Sequence, residues 1–558
     1  MKLTFEGGKV IIQVSGMHFL RLKAEIAKRL GRLCQSGKDI IEFPTSCLIL
    51  LEDLLDDDSK NDESVRQYLG RFESHAHARE IALQRIETSS VEGIPDNWLD
   101  LLDPAQATAV SAMVLPNILG LCLFDEQGSG KTVMTIAAFD ILKDSGTVDA
   151  MIVVCPKSMV SEWPNDIEKF THNKYAIIQA EGDRNQKYAS AFKPFDVLIT
   201  NYEGIEVMLT SLIASTSTRK YLLTVDESYY LKNGESVRSE KVSKLRSYCE
   251  RCFVLCGTPA PNSAHDLINQ FDLADSNYTF AGFSRSNLPD LDFDRISALV
   301  ESRGLFIRRL KPEILAHVPD KHFHIVKVDL QGRQAAMYEA ARQDLELELR
   351  TLNNETFRKR LATYFQRRAA LLQICACPEA IDPTFSETPA KYTVLDELIE
   401  RLFYEKRKLI VWSFFRKSLD QLEDRYRKFN PVRVDGSIPS AERKAAVKSF
   451  QENPDTMLFL GNPAAAGAGI TLHASYDAAY ISYSNQAAHY LQSLDRIHRR
   501  GQVSDDVNYY LIICTNTIEE TEVIRLREKE VRQHGLLGDH IPWPTSLDDA
   551  LNELSQGA

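Results

Sequence analysis

No apolar run in the 558-residue sequence reaches the ~20 residues that a bilayer-crossing helix needs. The longest, Met113 to Phe124, is interrupted by Pro116 and Asn117, so no membrane is expected among the partners. No leader-like stretch follows Met1-Lys2-Leu3-Thr4 and the ten cysteines are scattered, which predicts a reducing, cytoplasmic setting. Positive charge is in deficit: 66 Lys and Arg stand against 78 Asp and Glu, a formal charge of −12. A wholly basic nucleic-acid coat is therefore excluded, and any nucleic-acid contact must be a local basic track. Short-period repeats and low-complexity arrays are also missing, which argues against solenoids and propellers. Cys249, Cys252 and Cys256 have no second pair nearby, so they read as structural cysteines rather than zinc ligands. What the chain does have is ordinary globular composition, 44% hydrophobic and 26% charged. Its length predicts ~three to five compact units.

The architecture recurs. Between Leu119 and Gly257 the runs LGLCLF, MIVVCP, DVLITN, YLLTVD and CFVLCG alternate with amphipathic stretches, as do KLIVWS, PVRVDG, TMLFLG, AAYISYS and NYYLIIC between Lys408 and Cys514. Such runs predict strands buried on both faces of mainly parallel sheets, hence two α/β lobes. Before them, Met1 to about Glu92 reads as strand, strand, helix (His18 to Leu33), strand (Asp39 to Phe43) and helix (Leu48 to Leu55), then the acidic stretch DDDSKNDES and a further helix on whose surface His75 and His77 are expected. Between the lobes, charged helical patterns run from Gln331 to Leu352 and from Thr356 to Cys375. Thr517-Ile-Glu-Glu520 predicts a capped helix that Gly535 can stop. The expected division is an α+β accessory or recognition domain at 1–92, an ATP-binding first lobe at 93–262, a helical insert and connection at 263–390, a second lobe at 391–530 and a C-terminal tail at 531–558.

Two clusters carry chemistry. DEQGSGKT, Asp125 to Thr132, lies directly between a strand and the helical run VMTIAAFDIL. A strand, a glycine turn and a helix N-terminus direct backbone N–H groups at phosphate oxygens. Gly128, Ser129 and Gly130 form the turn, Lys131 is placed to reach the β- and γ-phosphates, and the Thr132 hydroxyl to ligate Mg²⁺. The strict G-x-x-x-x-G-K-[ST] pattern is not met, because Asp125 stands at its first glycine. The second cluster is Asp226-Glu227, which ends the apolar run Tyr221 to Val225. Both carboxylates thus emerge at the strand edge where ligands of open parallel sheets bind. Asp226 is suited to Mg²⁺ and Glu227 to orienting and deprotonating an attacking water.

These segments, with VVCPKSMVSEWPNDIEKF, LITNYEGI, LCGTPAPNS, VDGSIPSAERKAAVKSF, AGAGITL and QSLDRIHRRGQ, resemble in content and order the motifs of the SWI/SNF-type ATPases of helicase superfamily two, over about Leu102 to Glu520. The resemblance implies two RecA-like lobes, ATP and Mg²⁺ as cofactors, and double-stranded DNA as partner. It implies that Gln106 reads the adenine, that Gly467 and Gly469 touch the nucleotide, and that Arg496 and Arg499 act as arginine fingers. Three residues apart, these arginines are expected on one helical face. Backbone-directed DNA contacts are implied at Lys157, Thr200, Asn201, Ser413, Gly461 and Asn462. Basic stretches at Arg308-Arg309-Leu310-Lys311, Arg358-Lys359-Arg360 and Arg367-Arg368 are candidates to extend the track.

The sequence departs from the family at Tyr229, where His is usual, at Thr471, where Asn is usual, and at SYSNQAAHY before QSLDRIHRRGQ. None removes a phosphate, Mg²⁺ or water group, so ATPase activity is expected, and the pattern resembles compact bacterial or phage members. The leading expectation is an ATP-dependent double-stranded DNA translocase. Competing readings are a strand-separating helicase and an ATP-switched subunit that positions a nuclease, methyltransferase or other defence or repair partner. The N-terminal unit weakly resembles the recognition module of annealing helicases, which implies a preference for branched DNA.

Overall fold

The computed structural model describes residues 1–6, 8–260, 263–286, 289–314, 318–466, 470–483, 487–499, 501–532 and 546–556. Its first sheet is antiparallel, in the order β1-β2-β4-β3, formed by β1 (Lys2–Glu6), β2 (Lys9–Gln13), β3 (Gln35–Ser36) and β4 (Ile40–Pro44). Alternation along β2 buries Val10 and Ile12, and the helix Gly16–Leu30 buries Leu22, Ile26 and Leu30 at four-residue spacing. The helix expected from Leu48 to Leu55 is instead two 3₁₀ turns, Thr45–Leu50 and Glu52–Leu54. Leu51, at φ −124°, breaks the ladder between them, and both Leu48 and Leu51 reach the core. The acidic stretch supplies helix caps: Asp56 accepts from Ser59 N, and Asp62 from Ser64 N and Val65 N. The following helix, Glu63–Glu87, serves two cores, with Val65 and Leu69 in that of the small sheet and Ala78 and Ala82 in that of the first lobe.

The first lobe holds seven parallel strands: β5 (Gly120–Leu123), β6 (Ala150–Cys155), β7 (Ile177–Ala180), β8 (Val197–Asn201), β9 (Tyr221–Asp226), β10 (Arg251–Leu255) and β11 (Phe306–Ile307), in the order β11-β5-β10-β9-β6-β8-β7. Every residue of β5, β6, β8, β9 and β10 is buried, as strands covered by helices on both faces require. Parallel pairing puts the loops after β5, β6, β8 and β9 on one edge.

A second parallel sheet has the order β12-β17-β16-β13-β15-β14, from β12 (Asp320–Val328), β13 (Leu409–Trp412), β14 (Val432–Val434), β15 (Leu458–Gly461), β16 (Asp477–Tyr480) and β17 (Asp506–Cys514). The chain divides into two compact units, one comprising Met1–Glu126 and Gly130–Leu310, the other beginning at Lys311 and taking in Gln127–Ser129. This division falls inside the stretch 263–390 expected as a helical insert. The long helices are there, Gly332–Arg350 and Leu361–Ala376, but the stretch also gives β11 to the first sheet and β12 to the second. β12 pairs with β17 over nine residues, yet as an edge strand it carries Lys321, His322, His324 and Lys327 and lacks a long apolar run. Its polarity conceals its strand character.

Within the stretch 531–558 expected as an appended tail, the described residues 546–556 join a core. Helix Leu547–Gln556 buries Ala550 and Leu554 beside Tyr338, Leu371 and Ile518, and Glu553 pairs with the buried Arg368 at 2.6 Å.

Candidate nucleotide site and nucleic-acid interface

The chain leaves β5 through Phe124, turns over residues 125–130 and enters the helix Lys131–Asp144. Gly128 and Gly130 have φ of +86° and +90°, backbone that side-chain-bearing residues rarely adopt. Gly130 is required on a second ground: a Cβ there would lie 2.3 Å from Gln106 Nε2. The same approach brings the buried Gln106 onto the glycine turn. It is held by a capping box at the start of helix Pro104–Met113, where Gln106 Oε1 accepts from Asp103 N at 3.1 Å. Lys131 Nζ donates to the loop carbonyls of Asp125 at 2.8 Å and Glu126 at 3.2 Å, so its ammonium folds back over the turn. Ser129 is buried and Thr132 half-buried in the first helical turn.

β9 delivers Asp226 and Glu227 to the same sheet edge, both buried. Glu227 takes the left-handed conformation, φ +52°, and its N–H donates to Asp226 Oδ1 at 2.9 Å. Burial and the adjoining Glu227 charge push the Asp226 carboxyl well up, while a hydrogen bond from Trp163 and the Lys131 charge oppose the shift. Trp163 Nε1 donates to Asp226 Oδ2 at 3.0 Å, and the Tyr202 hydroxyl donates to the backbone oxygens of Asp226 and Glu227. Sequence reasoning gave neither Trp163 nor Tyr202 a role. Their signal was an aromatic residue opening the helix that follows β6 and the helix that follows β8.

The donor set suits a magnesium nucleotide. A Thr132 hydroxyl and an Asp226 carboxylate are hard oxygen ligands, and the glycine turn opens a helix N-terminus toward phosphate. Among the described residues, the grouping of three metal-capable side chains, Cys375, Cys514 and Glu519, is already engaged. Glu519 pairs with the buried Lys391 at 2.5 Å and accepts from Cys514 N at 2.8 Å. Cys249, Cys252 and Cys256 are buried thiols, each pushed by that burial up to about 12.

Of the DNA-facing candidates in the first unit, Lys157 is exposed just after β6. Thr200 is fully buried, and a Cβ on Gly204 would lie 2.1 Å from its Oγ1. Asn201 Oδ1 accepts from Lys187 at 2.9 Å and its Nδ2 donates to Glu203 at 2.7 Å. In this conformation the Thr200 side chain serves the interior, and that of Asn201 is held between Lys187 and Glu203. His75, expected on a helix surface, is wholly buried, and Nδ1 accepts from Leu119 N at 3.2 Å. Burial, reinforced by nearby arginines, lowers its pKa to about 3, so the ring is neutral.

In the second unit the carboxyl ends of β13 and β15 are adjacent, Trp412 opposite Gly461, which brings Ser413 and Asn462 together. Ser413 Oγ pairs with Ser482 Oγ at 3.0 Å, and Asn462 Nδ2 donates to Phe414 O at 3.0 Å. Gly467 and Gly469 lie outside the described residues. Arg496 and Arg499 do converge, both donating to Ile470 O, at 3.0 and 3.3 Å. They do not share a helix, however. The helix Ala487–Leu494 has ended and both lie in the turns that follow. Arg496 Nε takes the Gln492 carbonyl and the Tyr509 hydroxyl takes that of Leu494, capping the last turn.

A glycine turn and an acid pair on one edge of a parallel lobe, and a second parallel lobe with a paired-arginine turn, define the class: a two-lobed α/β protein. The family model for an SNF2-related domain matches residues 105–380, and that for a helicase conserved C-terminal domain matches residues 390–501. The chain belongs to the SNF2-related family of helicase superfamily two. It is 27% identical to a CHD3-type chromatin-remodeling factor of Arabidopsis thaliana, to the chromodomain-helicase-DNA-binding protein 1-like of Mus musculus and to an ISWI chromatin-remodeling complex ATPase of Saccharomyces cerevisiae. These alignments cover 77%, 78% and 78% of this chain but only 37%, 48% and 41% of those proteins. The chain thus spans less than half the length of each. Among solved structures, the SWI2/SNF2 ATPase core of Sulfolobus solfataricus in complex with dsDNA is similar, at 22% identity and a TM-score of 0.34 over 79% of this chain and 92% of that one.

Proposed function

We propose that this chain is an ATP-hydrolysing motor that couples hydrolysis to movement along duplex DNA or to remodelling of DNA and its bound proteins. The observation that carries the reading is the buried Asp226–Glu227 pair on the sheet edge of the glycine turn, with the Lys131 charge near enough to oppose the upward shift of Asp226. A bound magnesium–ATP complex would supply the phosphoryl group and a divalent charge. The chain's own residues do the rest. Backbone N–H groups at the start of helix Lys131–Asp144 and the Lys131 ammonium bind phosphate oxygens. Gln106 would take the base, and Asp226 and Thr132 would hold the metal. Glu227, its backbone tied down by Tyr202, orients the attacking water and accepts its proton. Arg496 and Arg499 are the residues that would neutralise charge developing on the transferred group.

The DNA assignment is supported by the curated relatives, two of them named as chromatin-remodelling proteins and one as a DNA-binding helicase. The exposed Lys157 on the first lobe offers a grip for the phosphate backbone. ATP turnover measured without nucleic acid and with duplex, single-stranded, forked DNA or RNA tests the proposal. Strongest stimulation by duplex is expected. Turnover unaffected by any nucleic acid, or stimulated only by RNA, would refute it.

A further inference from the structure

The crossover between the two units runs through Arg308-Arg309-Leu310-Lys311, read from sequence only as a possible basic track. Arg309 and Lys311 are turned to partners within the protein rather than displayed for nucleic acid. Within the first unit, Arg309 grips Asp125, the fully buried first residue of the glycine turn: its backbone N–H donates to Asp125 Oδ1 at 2.9 Å and its Nε at 3.1 Å, and a second guanidinium nitrogen reaches Oδ2. Glu126 N donates back to Arg309 O at 3.1 Å, so turn and crossover are stitched at main chain and side chain alike. A guanidinium is the side chain that makes such a two-pronged grip.

Within the second unit, Lys311 is wholly buried and its ammonium is directed into the turn that carries Arg496 and Arg499. It pairs with the Asp495 carboxylate, donates to His498 O at 2.7 Å and meets His498 Nδ1 at 3.2 Å. The histidine tautomer follows. His498 Nε2 lies 3.0 Å from Pro319 O, which can only accept, so the proton sits on Nε2 and Nδ1 is left to accept from Lys311. Burial and the Lys311 charge hold the His498 pKa near 3, consistent with that neutral form. The ammonium's three donors thus hold the residues immediately before Arg496 and Arg499, Asp495 and His498.

Resting on the function proposed above, we propose that Arg309 and Lys311 are a pair of positioning residues, Arg309 setting the nucleotide-binding turn through Asp125 and Lys311 setting the arginine-bearing turn through Asp495 and His498. The two grips belong to different catalytic stages, which gives them a signature that plain structural support lacks. Nucleotide binding depends on the glycine turn, whereas transition-state stabilisation depends on the arginines.

The test compares Arg309→Met and Asp125→Asn with Lys311→Met and Asp495→Asn in the full chain. The two Asn variants keep side-chain shape and cover the case in which a Met variant fails to fold. Binding of a fluorescent ATP analogue and steady-state hydrolysis are read together, with rates normalised to the titrated concentration of binding sites. The Arg309 and Asp125 variants should weaken nucleotide binding tenfold or more and leave kcat within threefold. The Lys311 and Asp495 variants should lower kcat tenfold or more and leave binding within threefold. A parallel loss of binding and kcat in both pairs, or changes below threefold in both, would overturn the inference while leaving the motor reading in place. An unsubstituted chain that hydrolyses no ATP would remove both.

Discussion

Gly130 offers a sharp test of the nucleotide site, because one added methyl group has two calculable consequences. At φ +90° an alanine pays the left-handed penalty of ~1–2 kcal/mol. Its Cβ would also fall 2.3 Å from Gln106 Nε2, a separation no real contact tolerates. The Gln106 amide must swing away and give up its bond to Asp103 N, 3.1 Å, at ~1 kcal/mol. Gly130→Ala should therefore destabilise the first lobe by ~2–3 kcal/mol, a fall in Tm of roughly 2–4 °C for each kcal/mol. Nucleotide affinity should drop at least tenfold, since the phosphate turn and the base-reading amide are displaced together. Thermal unfolding and calorimetric titration with an ATP analogue measure both. The reasoning contains an internal control: Gln106→Ala removes the obstruction, so the double variant should lose less stability than the two single losses added. Strict additivity, or an unchanged Tm for Gly130→Ala, would show that the amide does not sit on the turn.

Other outcomes follow from the same geometry. Lys131→Ala should abolish ATP turnover, whereas Glu227→Gln should bind nucleotide and turn over very slowly; equal rates for Glu227→Gln and the unsubstituted chain would remove Glu227 as the base. Arg499→Ala should lose ~10³-fold or more in kcat with little change in nucleotide binding, and unaltered kcat would remove its role. His75 makes the first lobe acid-sensitive. Its folded pKa of about 3 lies below the ordinary 6.5, so its uncharged form stabilises the fold fully above pH 6.5 and that contribution is lost as pH falls toward 3. The loss at pH 5 is ~2 kcal/mol, and His75→Phe should flatten this part of the pH profile in denaturant unfolding, at ~1–3 kcal/mol near neutrality because Leu119 N loses its acceptor. Lys391→Met leaves the fully buried Glu519 without its cation and should cost the second lobe ~3–5 kcal/mol in equilibrium unfolding; a loss below ~1 kcal/mol would contradict the burial of that pair.

The two parallel lobes and the glycine turn were legible in the sequence, because these rest on local patterns. Strands covered on both faces are near-continuously apolar, as β5 and β6 are, and a glycine turn between strand and helix announces itself by composition. The sequence also pointed to Asp226 and Glu227, which end such a run. Tertiary structure alone decided which polar residues face inward. Thr200, Asn201 and His75 look like surface groups in one dimension, yet their partners, Lys187 for Asn201 and Leu119 for His75, come from other elements. β12 escaped notice because an edge strand needs one neighbour and can remain polar, and the C-terminal helix because its partners Tyr338 and Arg368 lie far back in the chain. Arg496 and Arg499 were found by pattern, but that they lie in turns was settled by Tyr509 and Arg496 itself occupying the last helical carbonyls. Burial is a property of the folded neighbourhood, and a charge such as Lys311 becomes a clamp only when distant residues, Asp495 and His498, close around it.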